Sequence, residues 1–330
     1  MIKLDNITPN VVTSDLSDKI WLFYGEMATR KTSVACQFPK HLLLAWDIGY
    51  KFIDGAMAVP MQKWSDFKDV VRQLDQPANK ERFNTIIIDT VGFAYQSCYQ
   101  YMLTQMGVND PGEVPYGGGW KKIRNEFEIT LRSIVQKGYG LVMLAHSDEV
   151  EKEDKISKQK TLSVKIDIDK RPDLIIKGLA DFVFFLHKEN KVVDGVETPT
   201  VYAYSNLVQI DTKSRSRYFS EKFEFTYENL QAELRKAVER QYAEKHQPVP
   251  EATHINPYEE QPVDFDLLRN EVVELATALM EHGFDKEVQE TLLNIFKGEK
   301  LSSLTENVKT IEGLQVCRET FIDLKTKARI

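Results

Sequence analysis

The sequence has few cysteines, no long hydrophobic run and no excess of basic residues. Its only three cysteines are Cys36, Cys98 and Cys317, an odd number at wide spacings that fits neither a disulfide framework nor a zinc site. No stretch approaches the ~18 consecutive apolar residues of a membrane span, and the first residues lack the apolar core of a signal peptide. We therefore expect a protein of the reducing cytoplasm that has no membrane partner.

The charge balance restricts the class of protein further. The net charge of −7 comes from 43 basic and 50 acidic residues. It excludes a uniformly basic nucleic-acid coat but leaves a local basic groove open, because net charge says nothing about distribution. With 42% hydrophobic and 28% charged residues, the composition is typical of a globular protein, and 330 residues correspond to about two domains.

Short apolar runs alternate with helical patterns along most of the chain. The runs lie at 20–25, 41–47, 83–90, 140–147, 180–188 and 200–206. Continuous apolar runs of this length are typical of strands buried on both faces. Because helical patterns separate them, they predict βαβ units and an α/β core with a mainly parallel sheet.

The same pattern suggests a division into domains. We predict an α/β core at 1–245, an extended linker at 246–264, which contains four prolines, and a small helical domain at 265–330. Two insertions interrupt the core. The Gly- and Pro-rich segment 107–120 predicts a loop, and the strongly charged segment 149–173 predicts a hairpin or a loop.

A phosphate-binding signal follows the first apolar run. The pattern G-x-x-x-x-G-K-[ST] is matched at Gly25, Lys31 and Thr32, while Arg30 takes the place of the second glycine. Backbone N–H groups of such a loop point at phosphate oxygens, and Arg30 must accept a turn geometry that glycine adopts freely. The alternative is a basic helix start with a chance glycine upstream. The predicted nucleotide-binding residues are Gly25, Glu26, Met27, Ala28, Thr29, Arg30, Lys31, Thr32 and Ser33.

Two aspartates end predicted strands. Asp89 ends the run TIIID, where ligands bind in open α/β sheets, and with Thr32 it can hold Mg²⁺; the alternative is a cap of the next helix. Asp47 ends the strand after the phosphate-binding segment and could orient or deprotonate an attacking water. Its alternative is a turn residue before Gly49.

Further candidates lie at later strand ends. His146 follows the apolar run LVMLA and could contact the γ-phosphate or relay its state; a polar residue without a catalytic role is the alternative. Lys213, Arg215 and Arg217 form the basic cluster of DTKSRSRYF. Such cations could act on the nucleotide of a neighbouring subunit, and a solvated basic turn is the alternative.

These features together resemble the phage-encoded RecA-like P-loop ATPases, including the Sak-type single-strand annealing and recombination proteins. The resemblance covers about residues 15–220 and rests on the loop running into KTSVACQFPKHLLLAWD, the IIIDT strand, YGGGW, LAHSDE and TKSRSRYF. It implies that Lys31 and Thr32 bind nucleotide and Mg²⁺, that Asp47 activates water and that Asp89 holds the metal. Two positions depart from the family's pattern: Arg30 replaces glycine, and Asp47 stands where Glu is common. Both departures are expected to affect the rate of hydrolysis more than the binding of nucleotide.

The resemblance also implies DNA-binding loops at 107–122 and 149–172. Tyr116 and Trp120 could stack on bases, a contact worth ~1–3 kcal/mol per base. The cations that could meet phosphates are Lys121, Lys122, Arg124, Lys152, Lys155, Lys158 and Lys160. The alternative is that Trp120 packs its helix and that the lysines are solvated, since acidic residues are interleaved with them.

The function expected from this reading is Mg²⁺-dependent ATP binding, with slow hydrolysis at a subunit interface of a ring or filament. The protein would act on single-stranded DNA in phage recombination or replication, in the host cytoplasm, with a single-strand-binding protein as a further candidate partner. Two alternatives remain open. One is a hexameric helicase-type motor, and the other is an interaction protein that uses nucleotide as a switch without hydrolysing it.

Overall fold

The structure is a computed structural model that describes residues 9–153, 160–193, 196–207, 210–258 and 264–328. The chain divides into two compact units, Met1–Glu259 and Glu260–Ile330. In the part of the chain described, no helix is both long and apolar enough to cross a membrane.

A twisted central sheet organises the first unit. Its strands within the described ranges are β1 (Ile20–Gly25), β2 (His41–Ala45), β3 (Ala58–Pro60), β4 (Thr85–Asp89), β5 (Gly140–Glu153), β6 (Lys160–Ile166), β7 (Phe182–Val193), β8 (Val196–Tyr204), β9 (Lys213–Ser214) and β10 (Lys222–Glu224). The order is β10-β8-β7-β1-β5-β4-β2-β3, with β6 on β5 and β9 on β7. The segment from β7 to β3 is parallel, which confirms the predicted α/β class.

Helices cover both faces of this sheet. They are α1 (Lys31–Ala35), α2 (Trp64–Gln73), α3 (Pro77–Arg82), α4 (Val91–Met106), α5 (Gly118–Gln136), α6 (Lys170–Leu179) and α7 (Tyr227–Glu244). Alternate residues of β1 face opposite ways: Trp21 and Phe23 belong to the core cluster with α1 and α7, and Leu22 and Tyr24 to the cluster with α2, α4, α5 and α6. Both faces are therefore buried, as the continuous apolar runs predict.

The second unit is helical, as predicted. Its helices are α8 (Phe265–Glu281), α9 (Asp285–Phe296) and α10 (Val308–Ala328). Val272 and Leu279 of α8 share a buried core with Leu314 and Phe321 of α10. The proline-containing segment before this unit has no regular secondary structure through residue 256. Up to residue 258 it belongs to the first unit, where His254 Nε2 lies 2.8 Å from the Gly138 carbonyl oxygen.

The two insertions have more structure than the sequence indicates. The predicted loop 107–120 ends at residue 117, since α5 already begins at Gly118. A Cβ at Gly119 would lie 2.3 Å from the Pro111 carbonyl oxygen, so only glycine allows this helix start to pack on the preceding turn. The charged insertion contains the antiparallel pair β5–β6, in line with the hairpin that was one of the two expectations. It also contains the start of α6, which the sequence did not indicate. Residues 154–159 lie outside the described residues.

Candidate functional site

A cleft of about 490 Å³ lies at the carboxyl ends of the parallel strands. The register brings these ends together, because Gly25 pairs with His146 on β5 and Ala45 pairs with Asp89 on β4. The cleft is lined by Met27, Ala28, Thr29, Arg30, Lys31, Thr32, Ser33, Asp47, Gly49, Ile53, Asp89, Phe93 and His146. The structure therefore brings Asp47, Asp89 and His146 together with most of the predicted phosphate-binding loop.

The loop between β1 and α1 has the geometry that its glycine pattern requires. A Cβ at Gly25 would lie 2.2 Å from the Leu186 carbonyl oxygen on β7, so the first glycine is a packing requirement. Arg30, at the place of the second glycine, has φ 57° and ψ 20°. Ala28 also has φ 57°. Both are left-handed conformations that glycine adopts most readily.

Lys31 is held inside the loop. Its Nζ lies 2.9 Å from the Gly25 carbonyl oxygen, 2.7 Å from that of Glu26 and 3.1 Å from Thr29 Oγ1. The residue is only 7% exposed. Burial lowers the pKa of its ammonium group from 10.5 to about 8, while the nearby carboxylates of Asp89 and Glu26 oppose that shift.

The Thr32 hydroxyl donates a hydrogen bond to Asp89 Oδ2 at 2.7 Å. Asp89 is 5% exposed; burial raises its pKa, and the Thr32 hydrogen bond acts in the opposite direction. A hydroxyl and a carboxylate are hard oxygen ligands of the kind that Mg²⁺ prefers. In the described ranges no cluster of three or more His, Cys, Asp and Glu residues suits a metal, so phosphate oxygens and water would have to complete the shell.

Asp89→Asn tests this assignment. The amide can still accept from Thr32, and it removes a charge that burial disfavours, so we expect unchanged folding. We expect Mg²⁺-dependent nucleotide affinity to fall at least about tenfold, since loss of a partner of a metal site typically costs about 10–100-fold. The measurement is nucleotide affinity across a Mg²⁺ titration, with the exposed Asp54→Asn as control. The N-cap of α4 is Thr90 rather than Asp89, so a metal dependence identical to wild type would show that Asp89 only accepts the Thr32 hydrogen bond.

Asp47 lies in the turn after β2, which ends at Ala45 rather than at residue 47. The backbone N–H groups of Trp46 and Asp47 donate to the Asp89 carbonyl oxygen at 2.7 and 3.1 Å. These two hydrogen bonds hold the turn against the end of β4. Within the turn, Asp47 Oδ1 accepts a hydrogen bond from the Ile48 N–H at 2.6 Å. This placement puts a second carboxylate in the cleft wall, beside the predicted metal ligands.

For Asp47→Asn we expect retained nucleotide binding and hydrolysis slower by about a hundredfold, the low end of typical losses for a general base. Single-turnover hydrolysis and equilibrium binding, measured on the same preparation, separate the two effects. Asp54→Asn, a few residues further along the same connection, should leave both unchanged. Weaker binding with an unchanged rate per bound nucleotide would show that Asp47 is structural.

Two histidines flank the phosphate-binding loop in the sheet. His146 Nδ1 is buried and has no hydrogen-bond partner within the described part of the chain, and its carbonyl oxygen accepts from the Asp167 N–H at 2.9 Å. On the other side, His187 Nδ1 lies 2.8 Å from Glu26 Oε1. The sequence reading missed His187, although it follows Leu186, the residue that pairs with Gly25.

The basic cluster lies away from the cleft of its own chain. Arg215 Nε pairs with Asp181 Oδ1 at 2.9 Å, and Asp181 Oδ2 accepts from the Ile20 N–H at 2.9 Å. The ion pair therefore lies at the amino end of β1. At ~3.3 Å per residue along the strand, Ile20 is about 17 Å from Gly25. Lys213 Nζ donates to the carbonyl oxygens of Lys177 and Ala180 at 2.9 and 2.6 Å, near the end of α6. Arg217 forms an ion pair with Glu244.

Some of the candidate DNA-binding residues are exposed, and others are in contact with neighbouring side chains. Tyr116 is fully exposed and has φ 57°, and Lys121 and Lys122 are exposed. The Trp120 ring is covered by the Arg171 guanidinium, 4.1 Å from its centroid, and by Tyr99 at 5.9 Å, which fits the alternative that Trp120 packs its helix. Arg124 lies 3.8 Å from Glu128. Lys155 and Lys158 lie outside the described residues, as do the side chains of Lys152 and Lys160.

Comparison with known proteins relates the chain to a protein family and to a prophage-derived protein. The family model described as "AAA domain" (AAA_24) matches residues 18–238. The chain is also similar to the SPbeta prophage-derived uncharacterized protein YorG of Bacillus subtilis (strain 168), with 28% identity over 338 residues that cover 98% of each chain. The family match runs from just before β1 into α7 and includes every residue of the cleft; the second unit lies beyond it.

Proposed function

We propose a function for this chain from the premise that it belongs to the AAA domain family, a family of P-loop ATPases. The proposed function is Mg²⁺-dependent ATP hydrolysis coupled to single-stranded DNA in phage recombination or replication. The observation that carries it is the contact of the Thr32 hydroxyl with Asp89, beside Lys31, in one cleft. The similarity to a prophage-derived protein supports the phage setting.

The phosphate-binding loop and the polar side chains of the cleft each have a chemical task in this proposal. The loop from Gly25 to Ser33 binds the phosphates, and Lys31 leaves its loop oxygens to contact the β- and γ-phosphates in its protonated form. Asp47 orients the attacking water and accepts its proton. Thr32 and Asp89 would hold Mg²⁺, which neutralises charge on the phosphate oxygens. His146, with its unpartnered buried nitrogen, contacts the γ-phosphate and relays its state into the β5–β6 hairpin.

A homo-oligomer, either a ring or a filament, is part of the proposal. Arg215 lies at the edge of the sheet opposite to the cleft, and its side chain is 60% exposed. A head-to-tail contact places one edge of a subunit against the other edge of the next. Met27 and Phe93 line the cleft and yet are 77% and 44% exposed, and exposed apolar side chains around a site favour an interface.

The ATPase rate with and without single-stranded DNA tests the proposed function, with Lys31→Ala as the site control. The proposal expects turnover that single-stranded DNA stimulates, without strand unwinding. Strong DNA-stimulated turnover with unwinding would favour the helicase-type motor. Tight ATP binding without any turnover would favour the nucleotide switch.

A further inference from the structure

We infer that Arg30 contacts the phosphates of the nucleotide from within its own chain, a role that rests on the proposed function of the cleft. Arg30 is exposed and lines the cleft. Within the part of the chain that the structure describes, its guanidinium has no hydrogen bond, ion pair or ring contact. An unpaired cation in an anion site is available to the ligand.

The backbone at Arg30 gives an independent reason. At φ 57° and ψ 20° a residue with a Cβ is disfavoured relative to glycine, and glycine is the residue that the pattern calls for at this place. Residues held in such conformations cluster at active sites and ligand-binding sites. A contact of the Arg30 side chain with phosphate would account for a residue other than glycine at this place.

The neighbouring Lys31 has no spare hydrogen-bond donor for a phosphate. An ammonium group has three donors, and Lys31 Nζ already contacts three loop oxygens, those of Gly25, Glu26 and Thr29. Lys31 can reach a phosphate only by giving up some of these contacts. Arg30 has five donors in a planar fork that matches phosphate oxygens, and none of them is engaged within the described chain.

The two cations then act in order. Arg30 meets the polyphosphate chain at the open side of the cleft, and Lys31 exchanges its loop oxygens for phosphate oxygens afterwards. Because the contact is made to phosphates alone, it should favour any ligand with a di- or triphosphate chain. The base and the ribose should have no influence on it.

The test compares Arg30→Asn, Arg30→Lys and Arg30→Gly in the full chain. Asparagine tolerates a left-handed backbone and removes the charge, lysine keeps the charge, and glycine also relieves the backbone. Lys40→Asn is the matched control, since Lys40 is an exposed cation with φ 46° that donates to the Glu81 carbonyl oxygen. The probes are ATP and inorganic tripolyphosphate, titrated calorimetrically at low and high salt.

We expect Arg30→Asn and Arg30→Gly to weaken the binding of both probes about tenfold to a hundredfold at low salt, the loss of a charge-assisted hydrogen bond. Arg30→Lys should keep most of the affinity, and Lys40→Asn all of it. The loss should shrink at high salt, and Arg30→Gly should melt at a higher temperature than wild type.

The outcomes separate this inference from the proposed function. If Arg30→Asn binds both probes like wild type while Lys31→Ala does not bind, the role of Arg30 is overturned and the nucleotide site stands. If Arg30→Gly binds more tightly than wild type, Arg30 is only a strained replacement, which also overturns the inference. If wild type binds neither probe, the proposed function fails, and the inference fails with it.

Discussion

Replacing Lys31 by alanine is expected to abolish ATP binding and turnover while the protein stays folded. The ammonium group is the cation that the loop holds at its centre, through the carbonyl oxygens of Gly25 and Glu26. Removing a single electrostatic contact of this kind costs about 10²–10³ in turnover. Here the loop oxygens also lose their donor, so the loss should exceed that range. Equilibrium ATP binding and phosphate release measure it.

The titration of Lys31 offers a second readout of the same variant. In the folded chain its pKa is lowered from 10.5 to about 8, so between these values the unfolded chain binds more protons than the folded chain. Stability therefore rises with pH through this window, and Lys31→Ala should lack that rise. Lys40→Ala, which removes an exposed cation outside the cleft, should behave like wild type. An unchanged ATPase in Lys31→Ala would contradict the site assignment.

Arg215→Ala should reduce turnover by a similarly large factor, because a cation from a neighbouring subunit is worth about 10³–10⁵ in rate in other NTPases. Arg215 cannot serve the cleft of its own chain, since it pairs with Asp181 at the amino end of β7. The Arg215 side chain is 60% exposed and that of Asp181 is 21% exposed, and an ion pair open to solvent on one side contributes only about 0–1 kcal/mol. Loss of this ion pair therefore lowers the free energy of unfolding too little to unfold the protein. A loss of activity in Arg215→Ala would then indicate a missing contact at the subunit interface.

Mixing Arg215→Ala with Lys31→Ala makes this prediction specific. Each variant alone should be inactive, and in the mixture some interfaces combine an intact Lys31 with an intact Arg215, so activity should partly return. The control is Arg132→Ala, which removes an exposed arginine that pairs with Glu128 at 2.9 Å on α5. A fully active Arg215→Ala, or a protein that stays monomeric with ATP and DNA, would show that the segment is a solvated basic turn.

Much of the cleft could be predicted from the sequence because it depends on strand ends. The carboxyl ends of parallel strands meet at one edge, so an Asp at the end of TIIID and a lysine after IWLFYG are expected at the same edge of the sheet. The contact of Thr32 with Asp89 joins residues 57 positions apart, and the two motifs alone indicate it. The left-handed turn at Arg30 also follows from the glycine pattern.

The remaining features depend on strand order, which no local pattern encodes. The sequence contains the run that becomes β7, but not the fact that it lies next to β1. For this reason His187 beside Glu26 was missed, and the distance of Arg215 from its own cleft could not be foreseen. Because the segment 149–173 is strongly charged, it is interpreted as a hairpin or a loop, and the start of α6 within it is not predicted. Pro172 in its first turn is compatible with a helix, because the N–H groups there have no intrahelical partner.

Binding and hydrolysis of Mg²⁺·ATP in this cleft can be tested in a single assay. The assay measures release of inorganic phosphate from ATP by the purified wild-type chain, with Mg²⁺ present and after its removal by a chelator. We expect slow release that requires Mg²⁺, increases with single-stranded DNA and disappears in Lys31→Ala. Release that is equal with and without Mg²⁺, or equal in wild type and Lys31→Ala, would contradict the proposed function.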